Sequence, residues 1–138
     1  MRVDNAYTVY IIDDDIVSNR VTEVRIKALC KNGDIEAFID PISGIHAMKH
    51  RLSGSEPTRM ILFLDLKMPL ISGWEVLDIL GPLLDKYRKN VVFIYLTSSS
   101  ADNDDKVRAS KNKYVSGYLE RPLDTAELAN LIAKTGFI

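Results

Sequence analysis

The chain has 138 residues, the size of one ordinary domain, and a chain of that length buries about two thirds of the surface its unfolded form exposes. Hydrophobic residues make up 46% and charged residues 27%, the balance of a soluble globular protein, and 18 basic against 19 acidic residues leave a net charge of -1, which excludes a general field for nucleic acid or an anionic membrane. No run approaches the roughly 20 apolar residues that span a bilayer, and residues 1–7 carry no basic segment leading into a long apolar one, so a cytoplasmic protein is expected.

In chain order, five short apolar runs recur at residues 8–12, 35–39, 60–64, 91–96 and 114–119, with stretches long enough for helices between them. That alternation predicts an α/β domain with a mostly parallel sheet covered on both faces. The first, third and fourth runs are nearly continuous in Ile, Val, Leu and Phe, as central parallel strands should be, while the second and fifth are more mixed. After the first run, Val17, Val21, Val24 and Ala28 recur at i, i+4, i+7 and i+11 and Gly33 follows as a stop signal, so this helix is expected to pack through those residues. The only cysteine, Cys30, has no partner for an internal disulfide and reads as a buried small apolar residue.

The second helix begins after Pro41 and fades into Ser53-Gly54-Ser55-Glu56-Pro57. His46 and His50 lie four apart on it but have no third ligand, which favours an exposed helical face over a metal clamp. The third helix runs from about Ser72, and Gly81-Pro82 should break or kink it before Tyr87. Trp74 and the broad apolar surface of this helix read as core, with a partner or homodimer patch as the minority reading. The fourth helix, residues 101–113, offers only Val107 to bury, with help from Ala101 and Ala109, and should be the least anchored. The fifth opens at Asp124 with Glu127 three residues later, a capping-box-like start, and presents Leu128, Leu131 and Ile132 to the core. No repeat, low-complexity segment or interdomain linker is visible, so one domain over residues 1–138 is expected, with its core at about 7–135 and no output domain.

The residues that carry chemistry sit just past the carboxyl ends of the apolar runs. Asp13, Asp14 and Asp15 follow the first, Asp65 the third, Thr97 with Ser98 and Ser99 the fourth, and Arg121-Pro122 the fifth. Ligands of an open parallel sheet bind in the crevice outside those ends, so four segments are expected to converge on one pocket. An acidic triplet alone is usually a solvated turn or helix cap, but Asp65 at the matching end of another strand changes that reading. Carboxylates brought within a few ångströms repel one another unless a cation intervenes. Oxygen ligands without nearby histidine or cysteine suit Mg²⁺, which commonly bridges one or two carboxylates to a phosphate oxygen. Asp65 can then attack phosphorus as a carboxylate nucleophile, while the metal and a cationic side chain offset the charge on the transferring group and Thr97 donates its hydroxyl to a phosphoryl oxygen.

These residues resemble the receiver domain of two-component response regulators, over nearly the whole chain. Val9-Tyr10-Ile11-Ile12-Asp13-Asp14-Asp15 resembles the family's first strand and acidic cluster, and Leu64-Asp65-Leu66-Lys67-Met68-Pro69 followed by Gly73 resembles its phosphoacceptor loop. Leu96-Thr97-Ser98 resembles its hydroxyl switch, and Tyr118-Leu119-Glu120-Arg121-Pro122-Leu123 its final strand and the turn after it. The resemblance implies a flavodoxin-like, doubly wound five-stranded parallel sheet in the order 2-1-3-4-5 with five helices. It implies Asp65 as the phosphoacceptor, a Mg²⁺ ion held directly by Asp14, Asp65 and the backbone carbonyl of Lys67 with Asp13 acting mainly through water, and Thr97 with Tyr118 as the coupled switch. It further implies a histidine kinase or phosphotransfer protein as donor, a downstream protein target, and a signalling face made by the fourth helix, fifth strand and fifth helix. The domain would be no enzyme beyond its own phosphorylation and dephosphorylation. Lys67 and Ser99 occupy the two variable positions that modulate loss of the phosphoryl group in the family, and the bond before Pro122 is usually cis there. One departure stands out: the family usually has lysine where this chain has Arg121, whose wider planar fork is not equivalent.

The competing reading is a phosphorylation-independent binding module in which Arg121 has spoiled the switch. An aspartate-nucleophile phosphatase would need a second acid where Lys67 stands, and a flavin-binding protein would need a Ser/Thr/Gly phosphate loop where the chain has Asp13-Asp14-Asp15.

Overall fold

In the computed structural model, residues 6–99 and 102–138 are described and form five parallel strands: β1 (Thr8–Ile12), β2 (Asp34–Phe38), β3 (Arg59–Asp65), β4 (Val91–Ser98) and β5 (Gly117–Glu120). Their order is β2-β1-β3-β4-β5. Five helices alternate with them: α1 (Ile16–Leu29), α2 (Pro41–Leu52), α3 (Gly73–Lys86), α4 (Asn103–Lys111) and α5 (Thr125–Lys134). The architecture is the flavodoxin-like one that the resemblance implies.

Successive strand residues point to opposite faces, and this sorts the core into two layers. Val9, Ile11, Ile61, Phe63 and Tyr95 meet Ile26 of α1 and Leu128 and Ile132 of α5. Tyr10, Ile12, Leu62, Leu64, Ile94 and Leu96 meet Ile45 and Met48 of α2 and Val76, Leu77 and Leu80 of α3. Each such aliphatic side chain contributes roughly 1.5–3 kcal/mol relative to an exposed one, so β1 and β3, buried on both faces, are the rigid spine that carries the acidic residues at their ends.

Helix α1 departs from its apolar spacing. Val17, Val21 and Val24 are 73%, 46% and 60% exposed, and Ala28 is exposed as well; the buried face is Asn19, Thr22 and Ile26. The cause is polar. Asn19 Nδ2 donates to the carbonyls of Asp13 and Phe38, both at 2.9 Å, satisfying acceptors at the ends of two strands and rotating the apolar residues outward. Cys30, at the end of this helix, is buried as expected.

Three further expectations are revised. Of the break or kink expected at Gly81-Pro82, the break does not occur, since α3 runs through to Lys86; the ring of Tyr114 lies where a Cβ on residue 81 would stand, 2.8 Å away, and its hydroxyl donates to Asp85 Oδ2 at 2.5 Å, bracing the last turn. Strand β5 starts at Gly117 and not at Tyr114, because the Tyr114 amide donates to Asn112 Oδ1 at 2.9 Å and the Val115 amide to the Asn112 carbonyl at 3.2 Å, which makes a turn. In α4, Val107 is 52% exposed and Ala109 is the buried residue, while Ala101 lies outside the described residues. That helix is held chiefly by polar contacts: Trp74 Nε1 donates to Asp105 Oδ1 at 3.2 Å, the Arg108 guanidinium sits 4.2 Å from the Trp74 ring centre, and Lys106 pairs with Glu120. Among the described residues no helix is long and apolar enough to cross a membrane.

Candidate functional site

Parallel strands deliver their ends to one rim, and the register shows what arrives there together. Asp65, the last residue of β3, is paired with Thr97 on β4, and the acidic triplet follows β1 directly. Asp15 caps α1, its carboxylate accepting from the Ser18 amide at 3.1 Å, so the helix begins immediately after the cluster and turns Asp13 inward. On the other side Gly73 opens α3 against the Asp65 loop. A Cβ on it would lie 2.8 Å from the Asp65 carbonyl oxygen and 2.9 Å from Leu66 Cα, so only glycine permits this approach.

Asp13, Asp14 and Asp65 can each present a carboxylate oxygen within 4.8 Å of the other two. They are the one group of potential metal ligands of this kind among the described residues; His46 and His50 are both exposed on α2. Asp13 and Asp65 are 3% and 2% exposed, and Asp14 is half-buried. Arg121 bridges the two buried carboxylates, its Nη1 donating to Asp13 Oδ2 at 3.0 Å and its Nη2 to Asp65 Oδ1 at 2.9 Å. Ser18 Oγ donates to Asp13 Oδ2 at 2.6 Å and accepts from Arg121 Nη1. The amides of Asp15 and Lys67 donate to Asp13 Oδ1 at 3.0 Å and to Asp65 Oδ1 at 3.3 Å. The Arg121–Pro122 bond is cis.

The electrostatics are unbalanced. Burial, foremost, and the neighbouring Asp13 push the Asp65 carboxyl up to about 6, against the Arg121 guanidinium and the Lys67 amide, which pull it down. One guanidinium among three carboxylates leaves negative charge over, and the donors are all hard oxygens with no histidine or cysteine beside them. That set fits a divalent cation of the Mg²⁺ type.

Beside the cluster opens a cleft of about 650 Å³, bordered by Asp14, Ser18, Val21, Lys67, Ser99 and Pro122. Lys67 and Ser99 are exposed there. Thr97 is buried, and its carbonyl accepts from the Leu66 amide at 3.0 Å, tying the two loops together. Tyr118 is half-buried and sits outside the cluster, in a depression with Lys106, Glu120 and Glu127 on the α4–β5–α5 face. Spacing alone did not point to Ser18 or Asn19. The available signal was their position in the first turn of a helix that follows the acidic triplet, where side chains face back to the strand end. Arg25 was likewise unmarked, although its Nη1 donates to the Leu123 carbonyl at 2.6 Å and fastens α1 to the loop after β5.

No protein-family model matches the chain, and no curated protein matches it in sequence. Solved structures do match in fold. A two component response regulator from Cytophaga hutchinsonii is 26% identical with a TM-score of 0.77, over 93% of this chain and 95% of that one. A response regulator receiver protein from Dyadobacter fermentans is 22% identical with a TM-score of 0.77, over 94% and 98%. The receiver domain of a Saccharomyces cerevisiae response regulator, in co-crystal with a histidine phosphotransfer signaling protein, is 18% identical with a TM-score of 0.75, over 98% and 92%.

Proposed function

We propose that this chain, which has the fold of a response-regulator receiver domain, is a phosphoacceptor signalling domain that takes a phosphoryl group onto Asp65. The observation that carries the reading is the meeting of Asp13, Asp14 and Asp65 at one rim, their oxygens within 4.8 Å, with Arg121 and Thr97 beside them. The donor is a phosphohistidine on a kinase or phosphotransfer protein, a partner kind that the yeast co-crystal supports. An Asp65 carboxylate oxygen attacks phosphorus; the new O–P bond forms as the P–N bond to the donor imidazole breaks, and that electron pair stays on the imidazole nitrogen.

Asp13, Asp14, Asp65 and the backbone carbonyl of Lys67 would hold Mg²⁺, which when bound offsets the charge of the transferring group. Arg121 keeps Asp65 in place and supplies the fixed positive charge, and its contacts with both carboxylates support a working site over a degenerate one. Thr97 donates its hydroxyl to a phosphoryl oxygen and, with Tyr118, passes the change to the α4–β5–α5 face, where a downstream protein reads it. The weak anchoring of α4 through Ala109 supports that face as the element that moves. Lys67 and Ser99, at the mouth of the cleft, modulate hydrolysis of the acyl phosphate. The chemistry is limited to the domain's own phosphorylation and dephosphorylation.

The test is incubation with a small phosphodonor and Mg²⁺ followed by intact mass. The native chain gains one phosphoryl group only with the metal, and Asp65→Asn gains none. Equal labelling of both chains would refute the assignment.

A further inference from the structure

Helix α4 is loosely held by its own residues and firmly held by one residue of α3. Of the α4 side chains only Ala109 is buried, and the pair of Lys106 with Glu120 on β5 joins two exposed side chains, which water screens to a small contribution. Trp74 grips the helix from the other side. Asp105 and Arg108 lie three residues apart, on one face of α4, and both meet the indole. The ring uses both of its polar features: its edge N–H donates to Asp105 Oδ1 at 3.2 Å, and its electron-rich face takes the Arg108 guanidinium 4.2 Å from the ring centre.

Trp74 is itself fixed. It lies inside the capping box that opens α3, in which Ser72 Oγ accepts from the Glu75 amide at 3.2 Å and Glu75 Oε1 accepts from the Ser72 amide at 3.2 Å. The residue before it, Gly73, donates its amide to the Leu66 carbonyl at 2.9 Å and stands too close to the Asp65 carbonyl to carry a side chain. The turns after it bury Val76, Leu77 and Leu80. The indole thus belongs to the rigid acceptor loop and α3, and a shift of α4 away from α3 breaks both of its contacts.

We propose that Trp74 is an autoinhibitory clasp: through Asp105 and Arg108 it holds α4 in a resting place, and acceptance of a phosphoryl group at Asp65 is favoured when the clasp opens. The inference rests on the phosphoacceptor reading and deepens it by naming what opposes the switch. A ligand that favours the shifted position of α4 must work against any contact made only in the resting one, and the coupling is reciprocal. Weakening the clasp therefore tightens the binding of a phosphoryl mimic although no residue of the acceptor site has changed. The clasp reaches α4 directly from the acceptor loop, on the side of the helix away from Tyr118 and β5.

The experiment uses the full chain in Mg²⁺ with beryllofluoride as the acyl-phosphate mimic. Trp74 is the only tryptophan, so the indole emission reports on it alone. When the mimic binds, that emission moves to longer wavelength as the ring exchanges Asp105 and Arg108 for water. Arg108→Met and Asp105→Ala each tighten binding of the mimic, followed at the backbone amide of Lys67, about two- to tenfold, as expected for one lost cation–π or charge-assisted contact. Lys111→Met, which removes a positive charge from the same helix but neither contact of the ring, leaves the affinity unchanged. Arg108→Met adds nothing in a Trp74→Leu background. Should a variant fail to fold, the emission of the native chain still decides. Emission that stays in place or moves to shorter wavelength while the Asp65 and Lys67 amides shift would overturn the clasp alone, as would unchanged or weaker binding by folded Arg108→Met. If those amides stay still, the phosphoacceptor reading fails and the clasp falls with it.

Discussion

Both ends of the sheet carry ion pairs between an arginine and acidic side chains, and they differ in how much water reaches them. At the amino-terminal end Arg51 lies 3.4 Å from Glu36, their side chains 41% and 40% exposed, beside a cleft shared with Arg59 and Lys89. At the carboxyl-terminal end Arg121 meets Asp13 and Asp65 at 3.0 and 2.9 Å, with side chains 16%, 5% and 3% exposed. The distances are similar, but the consequences are not. Water screens the first pair to near neutrality, whereas burial at the second makes each charge depend on its partners and keeps the site short of positive charge. A fold that buries two carboxylates and keeps a third beside them has set a cost against stability, which the proposed binding of a cation would offset.

The largest expected break in this contrast is Arg121→Met. Removing the shared cation strands two buried carboxylates and should cost about 2–4 kcal/mol in metal-free denaturant unfolding at pH 8. A loss below about 1 kcal/mol would mean that water already reaches these groups.

Asp65→Asn should act in the opposite direction. The native carboxyl titrates near 6, above its usual unfolded value, so at pH 8 its charge opposes folding, and between about 6 and 4 the folded state binds the proton more tightly than the unfolded one. Metal-free native protein therefore gains stability as pH falls through that window. Asp65→Asn, which carries no such charge, is more stable than native by about 1–3 kcal/mol at pH 8, with the gap closing towards pH 4. Parallel stability–pH curves for the two chains would count against the assignment of this charge.

The smallest effect belongs to the other end. Glu36→Gln should change stability by less than about 0.5 kcal/mol, and added salt should erase even that. A cost comparable to that of Arg121→Met would show that burial is not what separates the two ends.

The same contrast explains what could be read from the residues. The apolar runs of β1, β3 and β4 are long and almost unbroken, so the residues alone place Asp13, Asp14, Asp65 and Thr97 at one rim. Helix α1 was legible as a helix but not in its orientation, because periodicity counts apolar residues while the buried face was chosen by Asn19 and the strand-end carbonyls it satisfies. Pro82 does not break α3 for a related reason: a tertiary contact from Tyr114, distant in the chain, supports the turn that follows it. The contact of Ser18 with Arg121 is a product of side-chain geometry across more than 100 residues of sequence separation, and no local pattern encodes that.

The central proposal is that the buried carboxylate at the end of β3 is the one that receives phosphorus, and chemical trapping tests it most directly. After treatment with a small phosphodonor and Mg²⁺, borohydride reduces an aspartyl phosphate to the corresponding alcohol, which peptide mass mapping can place. The alcohol is predicted at position 65 and nowhere else, and only in samples that contained the metal. Reduction at position 13 or 14, or none at all, would contradict the account.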